Sequence, residues 1–216
     1  MQQSDRAPAA QSSFVALGLP LAPEEEARAN LYGLLARLLL APPDGALLSG
    51  LAESAPWSAS DPHNPLAMAW DKLSLMSRLL PLDVVTEEFN ELFISSGAPR
   101  ISPHGSIYLA GFLHEKPLVH LRADLAALGL GRQAGARETE DHLGALCESM
   151  RQLIVRRQPI EAQQRFFDSH IASWSSTCLT QLQRLDGARF YAAVAELAAA
   201  LFAIERQAFE VADEAA

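Results

Sequence analysis

The chain has 216 residues, 49% of them hydrophobic and 20% charged, with a formal net charge of −9 at pH 7. That length suits one domain or two small ones with a real core. The acidic balance argues against nucleic acid, whose phosphates need clustered Lys and Arg. The only two cysteines, Cys147 and Cys178, lack CxxC spacing and are too few for a disulfide framework, so they are expected as buried thiols in a reducing compartment.

Residues 1–22 read as a flexible segment rather than a secretion signal: Arg6 is the sole basic residue, and the apolar run is broken by Gly18 and Pro20. No uncharged run approaches the roughly 20 residues that span a bilayer, so a soluble, cytoplasmic protein is expected. From Pro23, Ala27, Leu31, Leu34, Leu35 and Leu38 recur at helical spacing behind Glu24, Glu25 and Glu26, which suit a helix's positive end. That helix stops at "APPDG". Asn64-Pro65 starts another, carrying Leu66, Trp70, Leu73, Met76 and Leu80 and ending at Pro81. Asp83 is expected to cap the next, with Val85, Phe89, Leu92 and Phe93 inward.

The pattern breaks at "SSGAPRISPHGS", residues 95–106, which hold two Gly and two Pro. Long irregular loops between strong helices are uncommon in compact domains and are often functional. Helical spacing resumes at Pro117 with Leu118, Leu121, Leu125 and Leu128, and Gly129 is placed to end it. After the loop "GLGRQAGAR", the stretch "RETEDHLGALCESM" (137–150) starts a helix. A long helix from Pro159 to about Leu185 and an Ala-rich one from Ala188 to about Val211 complete the chain. No alternating stretch argues for a strand and no repeat appears, so residues 23–216 are expected as one all-α domain, a bundle of roughly eight to ten helices.

In "RETEDHLGALCESM", Leu143, Leu146, Cys147, Met150, Leu153 and Ile154 form one apolar stripe. At about 100° per residue Asp141 points nearly opposite the stripe, while Glu138 and His142, four apart, share its polar edge. Two readings stay open. One is a plain helix start, with Thr139 as N-cap and Glu140 and Asp141 in the first turn. The other is an acidic, hydrogen-bonding edge that receives a ligand. A metal site lacks ligand spacing, with one His here and no HExxH, so no metal or cofactor is expected.

A small hydrolase using Asp141 and His142 as an acid–base pair is the enzymatic rival. It has no GxSxG or Cys-His signature, and neighbouring helical residues orient each other poorly. A generic helical adaptor is the third reading. The loop exit adds Pro103, His104, Gly105, Ser106 and Tyr108 as candidate ligand contacts, though Pro-His-Gly is equally a turn. His114 and His120, near helix starts, read as solvated or core-satisfied. Phe167, His170, Ile171, Trp174 and Cys178 keep the spacing of a core stripe.

The stretch "EEFNELFISSG…SPHGSIYL" (87–109) resembles the "EY-x-x-LF…PYxSxYL" signature of the TorD/DmsD/NarJ family of redox-enzyme maturation chaperones. Glu138-Thr139-Glu140-Asp141-His142 resembles that family's "E-P-x-D-H-x-x-x-x-L" segment, and the resemblance runs over about residues 25 to 210. Two positions depart from it: His104 stands where an aromatic is usual, and Thr139 replaces a Pro. The resemblance implies an all-helical, cytoplasmic, non-enzymatic protein. It would bind the N-terminal, often twin-arginine, signal of a molybdenum or tungsten oxidoreductase's catalytic subunit. It would assist that subunit's folding and cofactor insertion and delay its export.

Asp141 and His142 fall on the segment associated with signal-peptide binding. With Glu138, Glu140 and the loop residues 103–106 and Tyr108 they form the expected peptide-binding set. Two arginines and an apolar run in such a signal need carboxylates and a groove between helices. "ISSG" and "GFLHEKPL" are most similar to chaperones of formate-dehydrogenase-type clients. A monomer or domain-swapped homodimer is expected, and without a GxxxxGK[ST] loop no nucleotide site.

Overall fold

The computed structural model describes residues 20–59, 61–94, 99–111, 116–132, 135 and 137–214. Nearly all of segment 1–22, the "ISSG" serines and glycine, and His114 lie outside them. Every regular element among the described residues is helical. They are α1 (Pro23–Leu40), α2 (Gly45–Glu53), α3 (Pro65–Leu79), α4 (Leu82–Phe89), α5 (Gly105–Ala110), α6 (Lys116–Ala127), α7 (Leu143–Val155), α8 (Ile160–Phe167), α9 (Ser175–Arg184) and α10 (Phe190–Glu214). Single π-helical turns follow α4 (Asn90–Ile94) and α8 (Asp168–Ala172). The expected all-α bundle is therefore what the chain forms, and no described helix is long and apolar enough to cross a membrane.

The core is built around α10. Its first half is buried nearly all round by Phe190, Tyr191, Ala193, Val194, Ala195, Leu197 and Ala198, where the alanines let α3 and α9 pack close. The other main pairing runs along α1 and α7, with Leu35, Leu38 and Leu39 meeting the α7 stripe that includes Leu143, Leu146 and Cys147. A buried ion pair ties the two halves together. Arg28 of α1 donates to both carboxylate oxygens of Glu205 in α10, each at 2.7 Å, and Tyr32 adds a bond at 3.2 Å.

Local chemistry sets most helix ends. Asn64 Oδ1 accepts from the amides of Leu66 and Ala67, with Pro65 pre-set at the first helical position. Gly129, at φ 68°, ends α6: its N–H meets Ala126 O at 3.1 Å while Leu130 N–H meets Leu125 O at 2.8 Å. Three expectations fail. Asp83 does not cap α4; Pro81 occupies that position and Asp83 lies in the first turn. The nine-residue α2, capped by Asp44 at 2.7 Å, follows "APP", where no helix is expected. The single helix from Pro159 to Leu185 is broken by the π turn into α8 and α9.

Two long-range arrangements position the site. Glu88 of α4 is buried, and its carboxylate accepts from the amides of Arg189, Phe190 and Tyr191 at 2.9, 3.2 and 2.8 Å. It thus satisfies orphan donors at the start of α10 from another helix. The π turn seats Trp174, whose indole donates to His170 O at 2.7 Å and stacks on Tyr108 of α5. Gly105 makes this possible: a Cβ there would lie 2.9 Å from Trp174 Nε1.

Candidate functional site: a loop clamp beside an apolar cleft

The two motif segments meet. Residues around 104 and 142 form an antiparallel bridge. Gly105 N–H donates to Asp141 O at 2.9 Å and Leu143 N–H to Pro103 O at 2.8 Å. Asp141 closes the clamp. Its Oδ2 accepts from the Ser106 amide at 3.0 Å and the Ser106 hydroxyl at 2.5 Å, and its Oδ1 accepts from Thr139 Oγ1 at 2.6 Å. The Ser106 amide is an orphan donor in the first turn of α5, so Asp141 caps that helix from a different segment. Burial pushes the carboxyl up, but hydrogen bonds from Ser106 and Thr139 outweigh it and hold the group below its usual range.

His142 caps α7: the Gly144 amide donates to its Nδ1 at 3.0 Å. With Nδ1 accepting, the neutral ring carries its proton on Nε2. Burial, reinforced by nearby His104, pushes the imidazole down to about 3. His104 lies edge-on to it, Nδ1 3.0 Å from Ser102 Oγ and Nε2 3.2 Å from Glu138 Oε2.

These contacts correct the surface reading. α7 starts at Leu143, after the acids have ended, so Asp141 and His142 are not on an exposed helical edge; each is only 4% exposed. Thr139 is not the cap but a donor to Asp141. Glu138 and His142 do converge, but across a loop, with His104 completing the group. Donor atoms of the three lie within 4.8 Å of one another. A cation bound through His142 Nε2 would require the ring to surrender its cap to Gly144, because a neutral imidazole has one lone-pair nitrogen. No hydrogen bond joins Asp141 to His142, which removes the geometry of an acid–base pair.

A surface that can take a ligand lies alongside. A cleft of about 850 Å³ runs between the end of α1, the "APP" turn and α7. Its apolar lining includes Leu40, Pro42, Pro43, Leu47, Leu125 and Leu130, and its charged rim carries Asp44, Glu138, Glu140 and Glu148 beside Arg37, Arg132, Arg137 and Arg156. Glu140 is held by Arg122 of α6, Nε to Oε1 at 3.1 Å and Nη2 to Oε2 at 2.9 Å, which keeps its carboxyl ionised below the usual range. Of the residues expected to touch a peptide, Glu138 and Glu140 face this cleft. Pro103, Gly105, Ser106, Asp141 and His142 are buried in the clamp, and His104 and Tyr108 are partly covered, the latter bonded to Gln181 at 3.0 Å. The leucines of the cleft and Arg122 were not legible as site residues, since each sits in an ordinary amphipathic helix or loop.

Comparison with known proteins agrees with this architecture. The family model described as "Nitrate reductase delta subunit" matches residues 60–180. The chain is 28% identical to the chaperone protein TorD of Vibrio cholerae over 164 residues, 71% of this chain and 73% of that protein. It is 29% identical to the Tat proofreading chaperone DmsD of Haemophilus influenzae over 115 residues, 52% of this chain and 56% of that one. Against several curated relatives the match spans little more than half their length. A crystal structure described as a redox enzyme maturation protein, from Archaeoglobus fulgidus, superposes with a TM-score of 0.50 at 16% identity, covering 83% of this chain and 96% of that one. At that identity the likeness is one of fold.

Proposed function

The chain belongs to the nitrate reductase delta subunit family, beside the TorD and DmsD chaperones, and from that premise we infer a maturation chaperone for a molybdoenzyme, not an enzyme. It binds the N-terminal leader of the client's catalytic subunit and holds the subunit in the cytoplasm while it folds and takes up its cofactor. Support comes from one feature above the others: an apolar cleft between helices with Glu138 and Glu140 on its rim. A leader with basic residues beside an apolar run presents the complementary chemistry, guanidinium to carboxylate and hydrophobic side chains to Leu40, Leu47, Leu125 and Leu130.

Asp141 and His142 serve this site as positioning residues. They fasten the 102–108 segment to the 137–143 segment and so fix where Glu138 and Glu140 stand. A formate-dehydrogenase-type oxidoreductase is the proposed client, from the likeness around residues 94–97 and 111–118. The test is titration of the chaperone with the catalytic subunit's leader peptide and with a peptide from the mature N-terminus that follows it. The leader should bind and the mature segment should not. Equal binding of both sinks the leader reading.

A further inference from the structure

Each carboxylate on the cleft rim already has a partner from the chain itself, an arginine in three cases and a histidine in the fourth. Asp44 is paired with Arg37, Glu138 with His104, Glu148 with Arg151 and Glu140 with Arg122. The last pair shares the two-bond fork of Arg151 and Glu148 and differs in where its arginine comes from. Arg151 and Glu148 are neighbours on one helix, three residues apart, whereas Arg122 reaches Glu140 from α6. It does so through two parallel N–H···O bonds, the fork geometry with which any arginine recognises a carboxylate. The Glu140 side chain is 13% exposed and lines the cleft; Arg122 is 50% exposed and does not. The guanidinium therefore lies over the acid from the solvent side.

We propose that Arg122 is a resident stand-in for a client arginine: it occupies Glu140 in the free chaperone, and a leader binds there by exchanging its own guanidinium for that of Arg122. The proposal rests on the leader reading above and adds the residue that sets its threshold. In the exchange one ion pair breaks and an equivalent one forms, while Arg122, half in water already, is released to solvent. The cation alone thus gains little. A basic peptide without the apolar run does not displace Arg122, whereas a leader that also fills the leucine-lined cleft does. Glu140, in turn, is never left as an unpaired, largely covered carboxylate, which would be costly.

The experiment is a cycle of Arg122→Gln and Glu140→Gln, singly and together. Each is titrated with the client leader and with the same leader carrying Gln for both arginines. Removing the stand-in should tighten the arginine leader by about two- to fivefold, the worth of a partly exposed ion pair, and leave the Gln leader unchanged. In the Glu140→Gln background, Arg122→Gln should change nothing. Arg122→Lys, which keeps the charge but loses the fork, should fall between wild type and Arg122→Gln. An arginine leader that binds Arg122→Gln no tighter than wild type overturns the exchange alone. A wild-type protein that binds neither leader overturns the leader reading and the exchange with it.

Discussion

Mild acid should weaken this fold chiefly through His142, and the size of the effect follows from where that residue sits. In an unfolded chain a histidine takes its proton near pH 6.5. In the folded chain His142 does so only at about 3, because burial first and the charge of His104 second disfavour the imidazolium. The folded state therefore binds fewer protons than the unfolded one below pH 6.5. His142's contribution is whole above that value, declines as pH falls through it, and is fully lost near pH 3. Between pH 7 and pH 5 the loss comes to about 2 kcal/mol, a large share of the roughly 5–15 kcal/mol that hold a typical domain. Urea denaturation at pH 7, 6 and 5 measures it. The control is His142→Asn, which keeps an acceptor for the Gly144 amide but does not titrate. Asp141, Glu138 and His104 surround position 142 in both proteins, so the difference between the two isolates His142. Wild type should lose about 2 kcal/mol more than the variant over this range. Equal losses would mean that the ring is not held neutral in the clamp, and the tautomer assigned to it would be wrong.

Asp141→Ala should cost about 2–4 kcal/mol in denaturant unfolding, since it strips a buried carboxylate from Ser106 and Thr139; a cost under about 0.5 kcal/mol would return the residue to the surface. Glu88→Ala should cost a similar amount by exposing the first amides of α10, yet leave leader affinity alone; a loss of binding at full stability would give Glu88 a role in the cleft. Gly105→Ala should displace the Trp174 indole and shift tryptophan emission, and an unchanged spectrum would contradict the close approach. Excess chelator should leave Tm where it is, because the His142 nitrogen that accepts a bond is already engaged by Gly144; a fall in Tm would show that His104, Glu138 and His142 hold a cation after all.

Much of the fold is legible because the helices announce themselves. The α1, α3 and α6 stripes keep their 3.6-residue period, and the Asn64-Pro65 start and Gly129 stop need only local chemistry. The π turn at 168–172 is hidden for the opposite reason: Phe167, Ile171, Trp174 and Cys178 all enter the core, so their spacing reads as one helix while the backbone gains a wider turn. The 137–142 segment misleads in another way. Thr139 followed by two acids imitates a capped helix start, but bonds to Pro103 and Ser106, more than thirty positions away, hold the backbone in a turn and a bridge until His142. The motif segments contain Glu88, Ser106 and Asp141, and from the sequence the last two are expected to touch a peptide. Each proves to be half of a cap whose other half is distant in the chain, a relation that spacing does not encode.

Whether Glu138 and Glu140 at the edge of the cleft read the arginines of a client leader is decided by one calorimetric titration. The leader, and the leader with both arginines changed to Gln, are each titrated at low and at physiological salt. The arginine leader should bind about two- to fivefold tighter at low salt and lose much of that advantage as salt screens the rim, while the Gln leader is nearly indifferent to salt. Two leaders of equal affinity at both salts would contradict it, leaving Glu138 and Glu140 as ordinary surface acids.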